Sequence, residues 1–393
     1  MASILFYLPQ FPAFGGIETV TAQLANRFSD LGFAVTIASH RSRDATRIQA
    51  LRKGVAVCTM PDQCLRVSDE NRAYLKQLVE SRKIDVVIFQ DSYSKIEHNL
   101  DGLSRNVKLV VCEHSAPYGC LKPSYSGLHK LLHFFRHPVQ GLFPGRADRL
   151  RRTYLYNRSD AYVLLSNYYF GEFRALTQLQ DSRKLRSIPN PIPNVFATVE
   201  TDFSRKEHIA LFVGTLAHGK GIMRLLKIIL LMRKNEHDFG DWRFCVVGEG
   251  PQRSECECFI KQNKITNVEL VGYQSDVTEY YRKASVLCLT SSREGFPMTL
   301  VEAMSYGCVP VVFSSFGSVF DIITDGVNGF LAPAFDLCFY ADALAALISS
   351  PGRLTQMSVE ACKVQDRFKM NKISEMWLNV FESLGVNALT GGR

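Results

Sequence analysis

The residues best placed to do chemistry lie in SSREGFPMTLVEAMSYGCVPVV, residues 291–312, where Glu294 and Glu302 flank Gly295, Phe296, Pro297, Met298, Thr299 and Leu300. A carboxylate can accept hydrogen bonds from a pair of sugar hydroxyls, as acidic residues do for ribose in dinucleotide folds. Pro297 suits the first turn of a helix, where its missing N–H costs nothing. The stretch therefore reads as a strand over Val286–Thr290, a loop holding Glu294 and Gly295, a helix over Met298–Ser305 closed by Gly307, and a second strand. A helix N-terminus beside a glycine presents backbone N–H groups to a phosphate. A ligand lying over that end could touch both acids. An ordinary strand–helix turn with two solvated acids is the competing reading.

A second cluster is FVGTLAHGKG, residues 212–221, with Thr215, His218 and Lys220. Gly214, Gly219 and Lys220 satisfy G-x-x-x-x-G-K, but a phosphate loop that holds Mg²⁺ needs Ser or Thr next, and this chain has Gly221. No D-x-D pair occurs anywhere in the chain, so no acidic clamp for a metal-bound diphosphate is expected. Gly15 and Gly16 precede a helix starting near Ile17, and His114 follows a strand that ends at Cys112. Ligands of α/β proteins bind at such strand ends, although a lone histidine is as often structural.

These groups need elements to hold them. Short β-rich runs recur at residues 4–8, 34–39, 55–59, 85–90, 108–112 and 161–166, then at 209–213, 243–247, 268–270, 286–290 and 309–313. Several are apolar on both faces, which fits buried parallel strands. Helix-like segments alternate with them; Ile17–Leu31 carries Val20, Leu24 and Phe28 at helical spacing, with Gly32 after it. The pattern predicts two doubly wound α/β domains. Prolines at 189, 191 and 193 and a polar stretch to His208 place the boundary. The expected division is 1–195 and 206–369, with residues 370–393 as a C-terminal helix packing back across the interface.

The 393 residues hold 46 Lys and Arg against 38 Asp and Glu, a net charge of +8, with 46% hydrophobic residues. That length implies two or three domains, and the composition excludes global disorder. Cysteines are scattered without a C-x-x-C pair, which suits buried thiols in a reducing compartment. Met1–Leu8 lacks the basic start and length of a signal peptide, and no run approaches a membrane span. Seven of the excess positive charges fall in residues 118–158, which include Lys130, Arg136, Arg149, Arg151 and Arg152 against the single acid Asp148. His129, His133 and His137 lie there too, interleaved with Leu and Phe. A metal site from those histidines lacks a carboxylate. The favoured reading is an anionic membrane surface; nucleic acid is not expected, because no binding motif accompanies the patch.

EGFPMTLVEAMSYG resembles the E-x7-E signature of family-4 glycosyltransferases, with Glu294 and Glu302 as its acids, and the resemblance continues through VPVV and DIITDGVNGFLAP, residues 321–333. FPAFGGIET, CEHSAP, VVGEGP and VGY resemble further family segments in the expected order. The resemblance, strongest to bacterial lipopolysaccharide and capsule sugar transferases, implies an α/β GT-B fold. Two Rossmann-like domains would face a central cleft, with an acceptor half first and a nucleotide-sugar half second. It implies a retaining hexosyltransferase using a nucleotide sugar, UDP-linked by analogy, and a lipid-linked or polysaccharide acceptor. By the same analogy Glu294 meets the donor sugar and Glu302 the ribose. Gly16, Gly248, Tyr273 and the backbone of 295–300 border the donor, and His114 and Lys220 join Glu294 in catalysis. The family's diphosphate-binding Arg is Thr215 here. Threonine supplies neither charge nor a bidentate fork, so Lys220, the helix end and His218 would carry more of the leaving-group charge. The expected enzyme needs no metal or other cofactor and works in the cytoplasm, at the inner face of the cell membrane. A catalytically silent binding protein and a GT-B phosphorylase or epimerase remain the alternatives; the oligomeric state is open.

Overall fold

In the computed structural model, the described residues are 1–13, 15–42, 51–91, 94–117, 146–193, 196, 202–235 and 239–387. They fall into two units. One runs to Pro191 and includes the chain from Met370 onward; the other is Ile192–Lys369.

The first unit is built on a seven-stranded parallel sheet. Its strands are β1 (Ser3–Gln10), β2 (Ala34–Arg41), β3 (Val55–Thr59), β4 (Val86–Gln90), β5 (Lys108–Glu113), β6 (Ala161–Leu164) and β7 (Leu185–Ser187). They lie in the order β3-β2-β1-β4-β5-β6-β7. Strands such as ILFYL and VVIFQ are buried on both faces, as parallel strands covered by helices must be. The helices are α1 (Gly16–Asp30), α2 (Asp69–Ser81), α3 (Arg146–Arg158) and α4 (Tyr169–Thr177). The last helix of the chain, α13 (Met370–Ser383), also belongs here. Its Trp377 and Phe381 meet Phe28 of α1 edge-on at 6.4 and 5.3 Å, and Arg27 Nε donates to Ser374 Oγ at 3.2 Å.

The second unit has six parallel strands, β8 (Glu207–Val213), β9 (Arg243–Val247), β10 (Val268–Gly272), β11 (Ala284–Leu289), β12 (Val309–Phe313) and β13 (Phe330–Ala332). Their order is β10-β9-β8-β11-β12-β13. Helices α5 (Ile222–Lys234), α6 (Arg253–Gln262), α7 (Thr278–Lys283), α8 (Met298–Ser305), α9 (Val319–Ile322), α10 (Leu337–Ile348), α11 (Pro351–Cys362) and α12 (Val364–Phe368) complete it. Helix α5 shows why the sequence folds so: Ile222, Leu225, Leu226 and Ile229 share one buried stripe against Phe212 and Val246, while Arg233 and Lys234 end it.

Both sheets thus read 3-2-1-4-5-6 along their strands, the first with a seventh strand beyond, the doubly wound order. In the second unit the winding reverses between β8 and β11, so the loops leaving their C-terminal ends diverge and open a ligand site. Strands β7 and β13, each of three residues at a sheet edge, add to the runs legible in the sequence. Among the described residues no helix is long and apolar enough to cross a membrane. Cys112, Cys245 and Cys288 are buried free thiols in their strands.

Candidate functional site

The loop from β8 to α5 (residues 214–221) and the loop from β11 to α8 (290–297) meet at the reversal point. Ser292 N–H and Oγ–H both donate to Gly219 O, at 2.8 and 3.0 Å. Thr290 Oγ donates to Gly221 O at 2.8 Å, and Arg224 Nε donates to Thr290 O at 3.2 Å. Gly221 has φ +77°, and a Cβ there would stand 2.1 Å from Thr290 O. That position therefore excludes the Ser or Thr of a Mg²⁺-binding phosphate loop.

The two loops bring Lys220 Nζ to 2.6 Å from Glu294 Oε1. Glu294 is the more enclosed partner, with 12% of its side chain exposed against 39% for Lys220. Helices α5 and α8 begin beside this pair, and no side chain caps either first turn. Their N–H groups and helix dipoles favour an anion. Pro297 is the N-cap of α8, one position before the helical turn expected of it.

The loop after β9 packs directly on this platform. Leu216 N–H donates to Glu249 O at 2.9 Å and Gln252 N–H to Leu216 O at 2.9 Å. Gly248 has φ +144°, and a Cβ there would lie 2.0 Å from Gly214 O. Gly248→Ala is therefore expected to cost at least ~1–3 kcal/mol, read as a fall in thermal midpoint. Gly219→Ala, whose Cβ meets nothing within 4 Å, should leave the midpoint unchanged.

Glu302 lies on the second turn of α8. Tyr281, fully buried on α7, donates its hydroxyl to Glu302 Oε2 at 3.0 Å. Burial pushes the Glu302 carboxyl up to about 7, against the Tyr281 bond that lowers it. The folded state thus holds a proton that the unfolded chain, near ~4.3, has already released. The stabilisation is full below the unfolded value and is lost as pH rises through about 7. Denaturant titrations at pH 5 and pH 8 should show the wild type losing stability relative to Glu302→Gln; a parallel response would contradict this.

The remaining expected residues distribute as follows. Phe296 and Leu300 are buried, Phe296 meeting Phe368 at 5.2 Å; Gly295 is also covered, and Met298 and Thr299 are half-buried. Thr215 is exposed, and Tyr273 is exposed on the loop after β10. Gly16 and His114 lie in the first unit, at the first residue of α1 and just past β5. Burial lowers His114 to about 4, so its imidazole is neutral at pH 7. The Cys112 thiol, pushed up by burial, stays protonated and lies 3.5 Å from His114 Nε2.

Two expected surface residues are corrected. Arg152 is 1% exposed and its Nε donates to both oxygens of Glu113, at 2.9 and 3.1 Å. Arg151 pairs with Asp91 at 3.0 Å and Glu97 at 3.3 Å. Their charge is consumed inside the first unit and does not face a membrane. Arg149 is exposed on α3, beside exposed Arg146 and Leu150. Lys130, Arg136 and the three histidines at 129, 133 and 137 lie outside the described residues.

Sequence reasoning missed Gln252 and Tyr281. Gln252 is 3% exposed, and its Nε2 reaches His218 Nδ1 at 3.0 Å and Glu255 Oε2 at 2.8 Å. No group of three or more metal-ligating side chains occurs among the described residues.

Comparison with known proteins covers both units. Residues 14–194 match the family described as Glycosyltransferase Family 4, and residues 198–364 that described as Glycosyl transferases group 1. A Haemophilus influenzae protein described as an uncharacterized glycosyltransferase is 24% identical over 386 residues, spanning 97% of this chain and 100% of that one. An alpha-1,4-N-acetyl-D-galactosaminyltransferase of Campylobacter jejuni, whose name includes diNAcBac-PP-undecaprenol, is 30% identical over 178 residues, 44% of this chain and 48% of its own. Among solved structures, Anabaena HepE in complex with UDP and glucose superposes with a TM-score of 0.71 at 16% identity, over 98% of this chain and 100% of that one. The lipopolysaccharide outer core galactosyltransferase WaaB gives 0.68 at 18% identity, over 97% and 99%. At these identities the likeness of structure shows the fold.

Proposed function

For this chain, which belongs to the family-4 glycosyltransferases and has the GT-B fold, we propose a retaining, metal-independent hexosyl or N-acetylhexosaminyl transfer. The donor is a UDP-linked sugar, and the acceptor a lipid-linked or polysaccharide glycan of the bacterial surface. The observation that carries this reading is the Lys220–Glu294 contact at 2.6 Å between two uncapped helix N-termini.

One cation and two sets of backbone dipoles converge where a diphosphate would leave. Preorganised donors of this kind stabilise charge as it develops in the transition state. The C1–O bond to the diphosphate breaks as the acceptor oxygen bonds to C1 on the same face of an oxocarbenium-like sugar, and the acceptor's hydroxyl proton passes to the departing phosphate oxygen. Glu294 accepts a hydroxyl of the donor sugar, and Glu302 the ribose. A neutral His114 contributes hydrogen bonding and not an acidic proton. UDP is favoured by its presence in the Anabaena complex, and a lipid-linked acceptor by the name of the Campylobacter relative. Arg146, Arg149 and Leu150 are exposed at the start of α3 and follow the basic stretch's Lys130 and Arg136 in sequence, which supports peripheral docking on anionic lipid at the cytoplasmic face.

The test is product analysis. Purified protein is given UDP-, GDP- and ADP-sugars with a membrane lipid extract in excess EDTA, and the new glycosidic bond is read by NMR. Retention of the donor's anomeric configuration with full activity in EDTA supports the reading. An inverted product or loss of activity in EDTA contradicts it. Failure to sediment with anionic vesicles at low salt would remove the membrane element alone.

A further inference from the structure

Thr215 stands where the resemblance calls for a guanidinium, and it is exposed at the mouth of the β8–α5 loop. Three residues on, His218 is held in one chemical form by neighbours on another element. The carboxylate of Glu255 accepts from Gln252 Nε2 at 2.8 Å, which requires the amide NH2 to face it. The opposite amide orientation would set a carbonyl oxygen against a carboxylate. With the amide so fixed, its second hydrogen points at His218 Nδ1, 3.0 Å away. Nδ1 must then accept, and the ring proton sits on Nε2. Gln252 is buried, and its Oε1 has no partner among the described residues. The amide thus forgoes a bond at its oxygen while both its hydrogens orient other groups. His218 itself is exposed, and its Nε2 has no partner among the described residues. Its carbonyl oxygen accepts from Arg224 Nη2 at 3.4 Å, which ties the loop to the first turn of α5.

We propose that His218, locked as the Nε2–H tautomer by Gln252 and Glu255, donates to the leaving diphosphate in place of the guanidinium that Thr215 cannot supply. The proposal rests on the nucleotide-sugar reading above. His218 lies two positions from Lys220, on the loop whose end opens α5, while Gln252 and Glu255 stand at the start of α6. A tautomer fixed by a buried amide presents a donor that needs no reorganisation when the ligand arrives.

The test compares UDP with uridine, which lacks the phosphates, by calorimetric titration. His218→Ala should weaken UDP about tenfold, the scale of one hydrogen bond to a charged group, and leave uridine unchanged. His218→Gln, whose amide nitrogen overlays Nε2, should restore most of the loss, whereas His218→Asn, whose nitrogen overlays Nδ1, should not. Gln252→Met should weaken UDP about threefold by freeing the tautomer. Thr215→Arg should recover UDP affinity in the His218→Ala background and gain less than about threefold in the wild type, because both groups serve one diphosphate. UDP affinity unaffected by His218→Ala, equal losses for UDP and uridine, or equal gains from Thr215→Arg in both backgrounds would each overturn the proposal and leave the nucleotide-sugar reading standing. A wild type that binds none of UDP, GDP and ADP would overturn both.

Discussion

Lys220→Ala and Glu294→Gln are each expected to lower turnover by about 10²–10³-fold, the usual effect of removing one preorganised donor from a charged transition state, with the fold intact. The separation of activity from stability follows from exposure. Lys220 is 39% exposed, and an ion pair so placed contributes at most ~1 kcal/mol to stability. On the proposed reading its contribution in turnover is larger, because a diphosphate would replace water around it. Before donor binding Lys220 and Glu294 neutralise one another at 2.6 Å. On the proposed reading, donor binding gives Lys220 a second anion and Glu294 a sugar hydroxyl as donor. Glu294→Gln keeps the shape and an acceptor oxygen but removes the charge. The two losses should not add, since both act on the same step. Steady-state rates with circular dichroism on each variant check this; normal turnover by either would refute the assignment.

The largest effect on stability is expected at Arg152. Glu113 accepts from Arg152 Nε on both oxygens, from Tyr162 at 2.7 Å and from Ser115 at 3.1 Å. Arg152→Ala would leave a carboxylate buried without its cation, at a cost of about 3–5 kcal/mol. For a unit of this size that is a drop on the order of 10 °C in thermal midpoint. The double change Arg152→Met with Glu113→Leu should recover part of it, because an apolar pair of similar volume carries no desolvation cost, whereas the buried Tyr162 hydroxyl loses its acceptor. A midpoint for Arg152→Ala within about 2 °C of the wild type would show that the pair is dispensable.

The legibility of the fold and the site in the sequence follows the range of the interactions. Buried parallel strands leave continuous apolar runs, so the strand–helix alternation and the helix Met298–Ser305 could be read directly. Strands β7 and β13 could not: three residues paired on one side leave no pattern. The platform around Glu294 was legible because glycine, proline and acid sit in one contiguous segment. Gln252 and Tyr281 were not, since each meets its partner across 34 and 21 residues with no motif linking them. The inward direction of Arg151 and Arg152 was illegible for a related reason. Charge counting locates cations but not the direction of their side chains. Arg152 shares a helix face with buried Leu155 and Tyr156, three and four residues on, and that spacing was the available signal that it points inward.

The central claim is that the β8/β11 reversal point binds and activates a nucleotide sugar. Release of nucleoside diphosphate from a panel of UDP-, GDP- and ADP-sugars, wild type against Lys220→Ala, tests it most directly. The account predicts release from at least one UDP-sugar by the wild type and a loss of at least 100-fold, on the order set by one lost charge-stabilising donor, in the variant. Release at equal rates by both proteins, or from no donor by the wild type, would contradict it.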